Sequence, residues 1–174
     1  MLIVFAGPPC AGKSTLAAEV ARRHHLPVLS MDATRRRILP TAAHTRADRQ
    51  VAYRAMHFAA ELLLGAGASA ILDAPYGHQE DREELARIAA DADVRLIECR
   101  VSPETAVRRF RERGPDPVRL DLTEELVGRV VREFPYTRAG LVVDTEAQSQ
   151  GECLERIESY LKLSAISDRL SAIS

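Results

Sequence analysis

Gly7-Pro8-Pro9-Cys10-Ala11-Gly12-Lys13-Ser14 fits the pattern G-x-x-x-x-G-K-[ST] at every position. The residues around it supply the context that the pattern needs. Leu2–Ala6, immediately before, is an unbroken apolar run that reads as a buried strand. From Lys13 to about His24, Leu16, Ala17, Val20 and Ala21 recur at helical spacing and read as one face of an amphipathic helix. A strand, a glycine-rich turn and a helix in that order form a phosphate loop. The glycines let backbone N–H groups converge on phosphate oxygens at the positive end of the helix. Lys13 supplies a compact charge to the β- and γ-phosphates, and Ser14 offers a hydroxyl to Mg²⁺. ATP with Mg²⁺ is therefore the expected cofactor. The expected nucleotide-binding residues are Gly7, Pro8, Pro9, Cys10, Ala11, Gly12, Lys13, Ser14 and Thr15.

The identity of Lys13 carries information of its own. The chain has 24 Lys and Arg, of which only Lys13 and Lys162 are lysines. A sequence that uses arginine almost throughout has kept a lysine where a forked guanidinium would not fit. It also contains no asparagine, so an Asn-Lys-x-Asp guanine-reading motif cannot exist and a Ras-like GTPase is not expected.

Beyond the loop, short apolar runs alternate with helical patterns, which points to an α/β domain with a parallel sheet. Strands are expected at Leu2–Ala6, Pro27–Ser30, Ala70–Leu72, Val94–Cys99 and Leu141–Val143. The longest helix is expected over about Ala47–Leu64, with Val51, Ala55, Phe58, Ala59, Leu62 and Leu63 on its apolar face. Gly65-Ala66-Gly67 should end it. Further helices are expected at Glu80–Ala90, Pro103–Arg113, Leu122–Phe134 and Glu152–Leu161, and residues 113–117 read as a loop.

The 174 residues fit one domain, taken as 1–163, followed by a tail over 164–174 in which Ser-Ala-Ile-Ser occurs twice. A net charge of -1 argues against a general nucleic-acid coat. Cys10, Cys99 and Cys153 lack metal-ligand spacing and read as reduced thiols. With no apolar run of membrane-spanning length, a cytoplasmic location without membrane association is the expectation; oligomeric state is open.

Several short segments, taken with the loop, resemble the P-loop kinase family with an AAA-type domain. They are Gly7–Thr15, Ser30-Met31-Asp32-Ala33-Thr34-Arg35, Ile71-Leu72-Asp73-Ala74, and the pair Arg109 and Arg113. That family includes 5′-hydroxyl polynucleotide kinases, chloramphenicol phosphotransferase, gluconate kinase and the zeta toxins. The likeness runs from about Leu2 to Asp144. It implies a three-layer P-loop NTPase fold with a five-stranded parallel sheet, strand order 2-3-1-4-5, helices on both faces and a short lid.

The resemblance also implies roles. Asp32 matches the general base that takes the proton of the acceptor hydroxyl; as an Asp after a strand, it could equally cap a helix over 33–39. Arg35, three residues on, matches an arginine that grips a phosphate of the acceptor, unless it belongs to a solvated Arg35-Arg36-Arg37 run. Asp73 matches the acidic residue on the metal side with Ser14, or else caps the next helix. Arg109 and Arg113, four apart on one helical face, match lid arginines that stabilise charge with Lys13; Arg108 could stand in, and a solvent-facing helix is the competing view. The acceptor is expected between the second and third strands and just beyond, a region holding His44, Arg46, Tyr53, Arg54, His57, Tyr76 and Arg82.

The implied activity is transfer of the ATP γ-phosphoryl to a hydroxyl of a small molecule. A polynucleotide 5′-hydroxyl kinase acting on a nucleic-acid end is one alternative. A non-catalytic nucleotide-dependent switch or toxin-like regulator is the other.

Overall fold

Strand β1 (Leu2–Ala6) is buried at all five positions because it lies at the centre of a parallel sheet covered on both faces. The computed structural model describes residues 1–41, 45–114 and 122–171, with side chains described through residue 162. His44, residues 115–117 of the expected loop and the last three residues of the tail lie outside the described residues.

The other strands are β2 (Val28–Ser30), β3 (Ala70–Asp73), β4 (Val94–Arg100) and β5 (Leu141–Asp144), in the order β2-β3-β1-β4-β5. Every pairing is parallel, with Phe5 opposite Asp73 on one side and Ile97 on the other. Order and direction are as the resemblance implies. Alternation along β1 divides the core in two. Ile3 and Phe5 face α1 (Lys13–His24), α5 (Pro103–Arg113), α6 (Glu124–Arg132) and α7 (Gln150–Ser171), meeting Leu16, Val127 and Ile157. Leu2 and Val4 face α2 (Met31–Ile38) and α3 (Arg46–Gly65), meeting Met31, Ala52 and Met56. Each such fully buried large side chain contributes about 1.5–3 kcal/mol. The last helix, α4 (Gln79–Ile88), lies beside α3 and adds Leu85 and Ile88 to the second cluster.

Helix ends follow local chemistry. Thr45 and Asp48 form a reciprocal capping box on α3, and Gly67, at φ 75°, closes the far end by donating to the Leu64 carbonyl. Ser102 caps α5, with Pro103 in the first turn. Helix α7 carries on through Ser171, so the first part of the tail is helical.

The face of α3 departs from expectation. The residues it buries are Ala52, Tyr53, Met56, His57 and Ala60. Half of the expected stripe points outward, with Val51, Phe58 and Leu62 45%, 60% and 60% exposed, while Ala55 and Ala59 are half-buried and Leu63 packs against the core. The sheet sets this orientation. Small side chains at Ala52 and Ala60 let the helix approach Leu2, Val4 and Leu72, while Tyr53 and His57 find hydrogen bonds beneath it. Periodicity alone could not rank two apolar faces on one helix.

Candidate active site

The phosphate loop is built where β1 ends. Gly7 has φ 143°, and a Cβ there would stand 2.5 Å from the Cys99 carbonyl oxygen of neighbouring β4. Only glycine fits both constraints. Its N–H donates to the Pro75 carbonyl at 3.1 Å, tying the loop to the segment after β3. Gly12, at φ 79°, is the N-cap of α1, and Cys10 holds a left-handed φ of 60°. Lys13 Nζ donates across the loop to the Pro8 carbonyl at 2.8 Å. Burial raises the Cys10 thiol above its ordinary pKa, against the pull of Arg113, Lys13 and Arg109 nearby. A bystander thiol, not a thiolate, is the result.

Ser14 and Asp73 come together as expected for a metal side: Ser14 Oγ donates to Asp73 Oδ2 at 2.6 Å. Asp73 ends β3 and is buried, next to the loop because β3 pairs with β1. It does not cap α4, whose N-cap is His78. One hydroxyl and one carboxylate suit Mg²⁺, which keeps most of its ligands as water and phosphate oxygens. Among the described residues no cluster of His, Cys, Asp and Glu forms an all-protein metal cage, the other way to hold an ion. The donor set therefore fits Mg²⁺ carried with a nucleotide.

Helix α2 begins right after β2, and Ser30 is its N-cap, accepting from the Ala33 N–H at 3.5 Å. Asp32 is thus a first-turn residue and not the cap, which corrects the structural alternative for it. Its half-buried position lines the same cleft as Lys13 and Ser14. Arg35 is one turn further, only 3% exposed, and also lines this cleft. Arg36 and Arg37 are exposed, so the solvated run begins after Arg35. The Arg35 Nη2 is buried with no hydrogen-bond partner among the described residues. A guanidinium held this way carries a desolvation cost that an incoming anion would offset.

Arg109 and Arg113 both line the cleft; Arg109 is half-buried there, which removes the solvent-facing alternative for it, while Arg113 is exposed at the cleft's edge. Arg109 is anchored at the nucleotide end, where its Nη1 donates to Thr145 Oγ1 at 2.9 Å and to the Cys10 carbonyl at 3.2 Å. Thr145 Oγ1 in turn donates to the Ala11 carbonyl at 3.2 Å. Arg109 thus braces the phosphate loop against the turn after β5. Arg113 is the last residue of α5, at the start of the expected loop over 113–117, of which residues 115–117 lie outside the described residues. Arg108 does not line the cleft and pairs with Glu112 at 3.8 Å, so it cannot stand in.

The cleft measures about 1040 Å³ and continues from the loop to a wall formed by α2, α3 and the start of α4. Arg46 is on that wall, gripped by Asp81 at 2.8 and 3.0 Å and by Glu80 at 2.8 Å. Tyr53 also faces the cleft, its hydroxyl accepting the Tyr76 N–H at 2.9 Å. That bond helps to hold Tyr76 at a left-handed φ of 53°, just after the Pro75 carbonyl that receives Gly7. Tyr76 and His57 stand behind the wall, joined at 3.0 Å, and Arg82 Nη1 donates to the Tyr76 carbonyl at 2.8 Å. These three support the wall without lining the cleft. Arg54 is exposed on the other side of α3 and drops out of the acceptor region.

Sequence reasoning missed Asp81, Thr145 and Phe134, all lining the cleft. It also missed Glu98, a buried β4 carboxylate that accepts from the N–H groups of Thr137 and Arg138 at 2.8 and 2.7 Å. The only sequence signal was a lone Glu inside the apolar run of β4.

Burial lowers the His57 pKa, partly opposed by Glu84 and Asp81. The unfolded chain then binds a proton at higher pH than the folded one does. Stability should be full above about pH 6.5 and fall below it, by up to about 1.4 kcal/mol per pH unit. Thermal melts of wild type and His57→Gln between pH 7.5 and 5 check this: the variant should lose less stability on acidification.

Comparison with known proteins bears on the family and the fold. A family model described as an AAA domain matches residues 2–136. An uncharacterized protein of Mycobacterium tuberculosis is 31% identical over 156 residues, covering 83% of this chain and 31% of that protein. The chain thus spans about a third of the length of the curated relatives it matches. Among solved structures, a gluconokinase from Sinorhizobium meliloti superposes with a TM-score of 0.72 at 18% identity, covering 99% of this chain and 96% of that one. The APS kinase of Mycobacterium tuberculosis, in complex with AMPPNP and APS, gives 0.68 at 18% identity, covering 92% and 96%. At these identities the solved structures show the fold, and the family model shows the kinship. That model covers most of the chain, so the chain belongs to the AAA-domain family it describes, with the phosphate loop, the Ser14–Asp73 pair and the β2-β3-β1-β4-β5 sheet in place.

Proposed function

We propose that this protein transfers the γ-phosphoryl group of ATP to a hydroxyl of a small molecule that also carries an anionic group. The observation behind this reading is a single cleft lined both by the phosphate loop and by Asp32 and Arg35. The acceptor's anion would pair with the buried, unpartnered Arg35 Nη2, leaving its hydroxyl to Asp32 one turn away. Asp32 then takes the hydroxyl proton as the oxygen bonds to the γ-phosphorus, and ADP leaves with the electrons of the broken bond. Lys13 and Arg113 offset the charge that develops on the transferring group, while Arg109 keeps the loop in shape. Ser14 and Asp73 would hold Mg²⁺, which would supply neutralisation of phosphate charge.

Other features support a small acceptor. A cleft of about 1040 Å³ suits a nucleotide with a compact second ligand. The wall's Arg46 is already neutralised by Asp81 and Glu80, and the chain as a whole carries -1. The 5′-hydroxyl polynucleotide reading keeps one supporting observation, since Arg35 could equally take a nucleotide phosphate.

Arg35→Gln tests the anion seat. Losing a charged hydrogen bond costs about 1.5–3 kcal/mol, so the acceptor KM should rise roughly 10- to 100-fold. The ATP KM should stay nearly constant. An unchanged acceptor KM would remove Arg35 from the substrate.

A further inference from the structure

The outward face of α3 performs no task in the cleft. Its exposed residues are Ala47, Val51, Arg54, Phe58, Glu61, Leu62 and Gly65, spaced by alternating steps of four and three with Leu62 beside Glu61. That alternation puts them on one face of the helix, the spacing a helix packed along a second helix would use. Phe58 and Leu62 are each 60% exposed and Val51 is 45% exposed, and the face runs the length of a 20-residue helix, about 30 Å. Exposed large apolar side chains on one helix face, with Arg54 and Glu61 between them, have the mixed character of a contact surface.

We infer that this face binds the same face of a second copy of the chain, antiparallel about a twofold axis beside Phe58. The charges within the seam carry the choice of occupant. Arg54 stands four residues before Phe58 and Glu61 three after it. A twofold axis between positions 57 and 58 sets Arg54 against the partner subunit's Glu61, and the reverse pair forms at the other end. Phe58 meets its own symmetry mate at the axis. The stripe is thus complementary to itself in shape and charge. The small residues Ala47, Ala55, Ala59 and Gly65 keep the two helices close. A contact made by one helix per subunit belongs to the small, weak class of interface, so a dissociation constant on the order of 1–100 µM is expected. The inference does not depend on the proposed activity, because none of these residues lines the cleft.

Sedimentation equilibrium of the chain across that concentration range provides the test. Wild type should move from monomer to dimer mass. Arg54→Glu and Glu61→Arg, each alone, should weaken the dimer about tenfold by opposing like charges, while the double swap should restore it to near the wild-type value. Both changes are at the surface, and circular dichroism melts confirm that the variants fold. A wild type that stays monomeric throughout overturns the inference, including the case in which another segment of a longer polypeptide covers the stripe. A dimer that ignores the single swaps overturns it too, by placing the contact elsewhere. Single swaps that weaken the dimer without rescue by the double also overturn it, because the charges would not face each other.

Discussion

Lys13→Ala should abolish turnover, with kcat/KM for ATP falling by roughly a factor of 10³ or more. Lys13 is at the first turn of α1, and its Nζ reaches 2.8 Å from the Pro8 carbonyl, so it bridges the loop that would hold the triphosphate. No second lysine stands in for it, since Lys162 lies on α7 and outside the cleft. Arg109 cannot substitute either, as its guanidinium is committed to Thr145 and the Cys10 carbonyl. Removing the ammonium would take away the charge proposed to face the transferring group, and Lys13→Arg should recover little because a planar fork does not fit a point-charge site. Steady-state ADP release, with titration of a fluorescent ATP analogue, measures both rate and affinity. Turnover within tenfold of wild type would contradict the role of Lys13.

Asp32→Asn should separate binding from chemistry. The amide is nearly the size of the carboxylate, and Ser30, not Asp32, caps α2, so the helix should keep its place. ATP affinity should stay within about threefold, while phosphoryl transfer falls by about 10² to 10⁴, the range for removing a positioned general base. A structural Asp32 would give the reverse pattern, with lower stability and little change in rate per folded molecule. Pairing thermal melts with kcat distinguishes the two. Transfer at the wild-type rate would end the assignment of Asp32 as base.

The parts of the fold and site readable from sequence are those set by local chemistry. Gly7 to Ser14 could be read directly, because each residue type answers a constraint within the loop itself. The Ser14–Asp73 contact followed from motif and resemblance, and the pairing of β1 with β3 delivers it. What escaped was set by partners distant in sequence. The burial of Arg35 depends on α2 lying under α3, and Arg46 is defined by Asp81, 35 residues away. Thr145 matters only because β5 ends beside the loop, 134 residues from Ala11. The outward turn of Val51, Phe58 and Leu62 shows the same limit: helical spacing revealed an apolar face, but only the sheet decided which face it covered.

Acceptor-dependent release of ADP is the direct measure of the proposed transfer. Wild-type protein with ATP and Mg²⁺ should be assayed against sugars, sugar acids, nucleosides, antibiotics and 5′-hydroxyl oligonucleotides. The account predicts ADP release that is slow alone and rises at least tenfold with an acceptor bearing both a hydroxyl and an anionic group, lost in Asp32→Asn. Release driven solely by oligonucleotide ends would replace the small acceptor with a nucleic acid. ATP binding without any acceptor-dependent release would contradict the kinase reading itself.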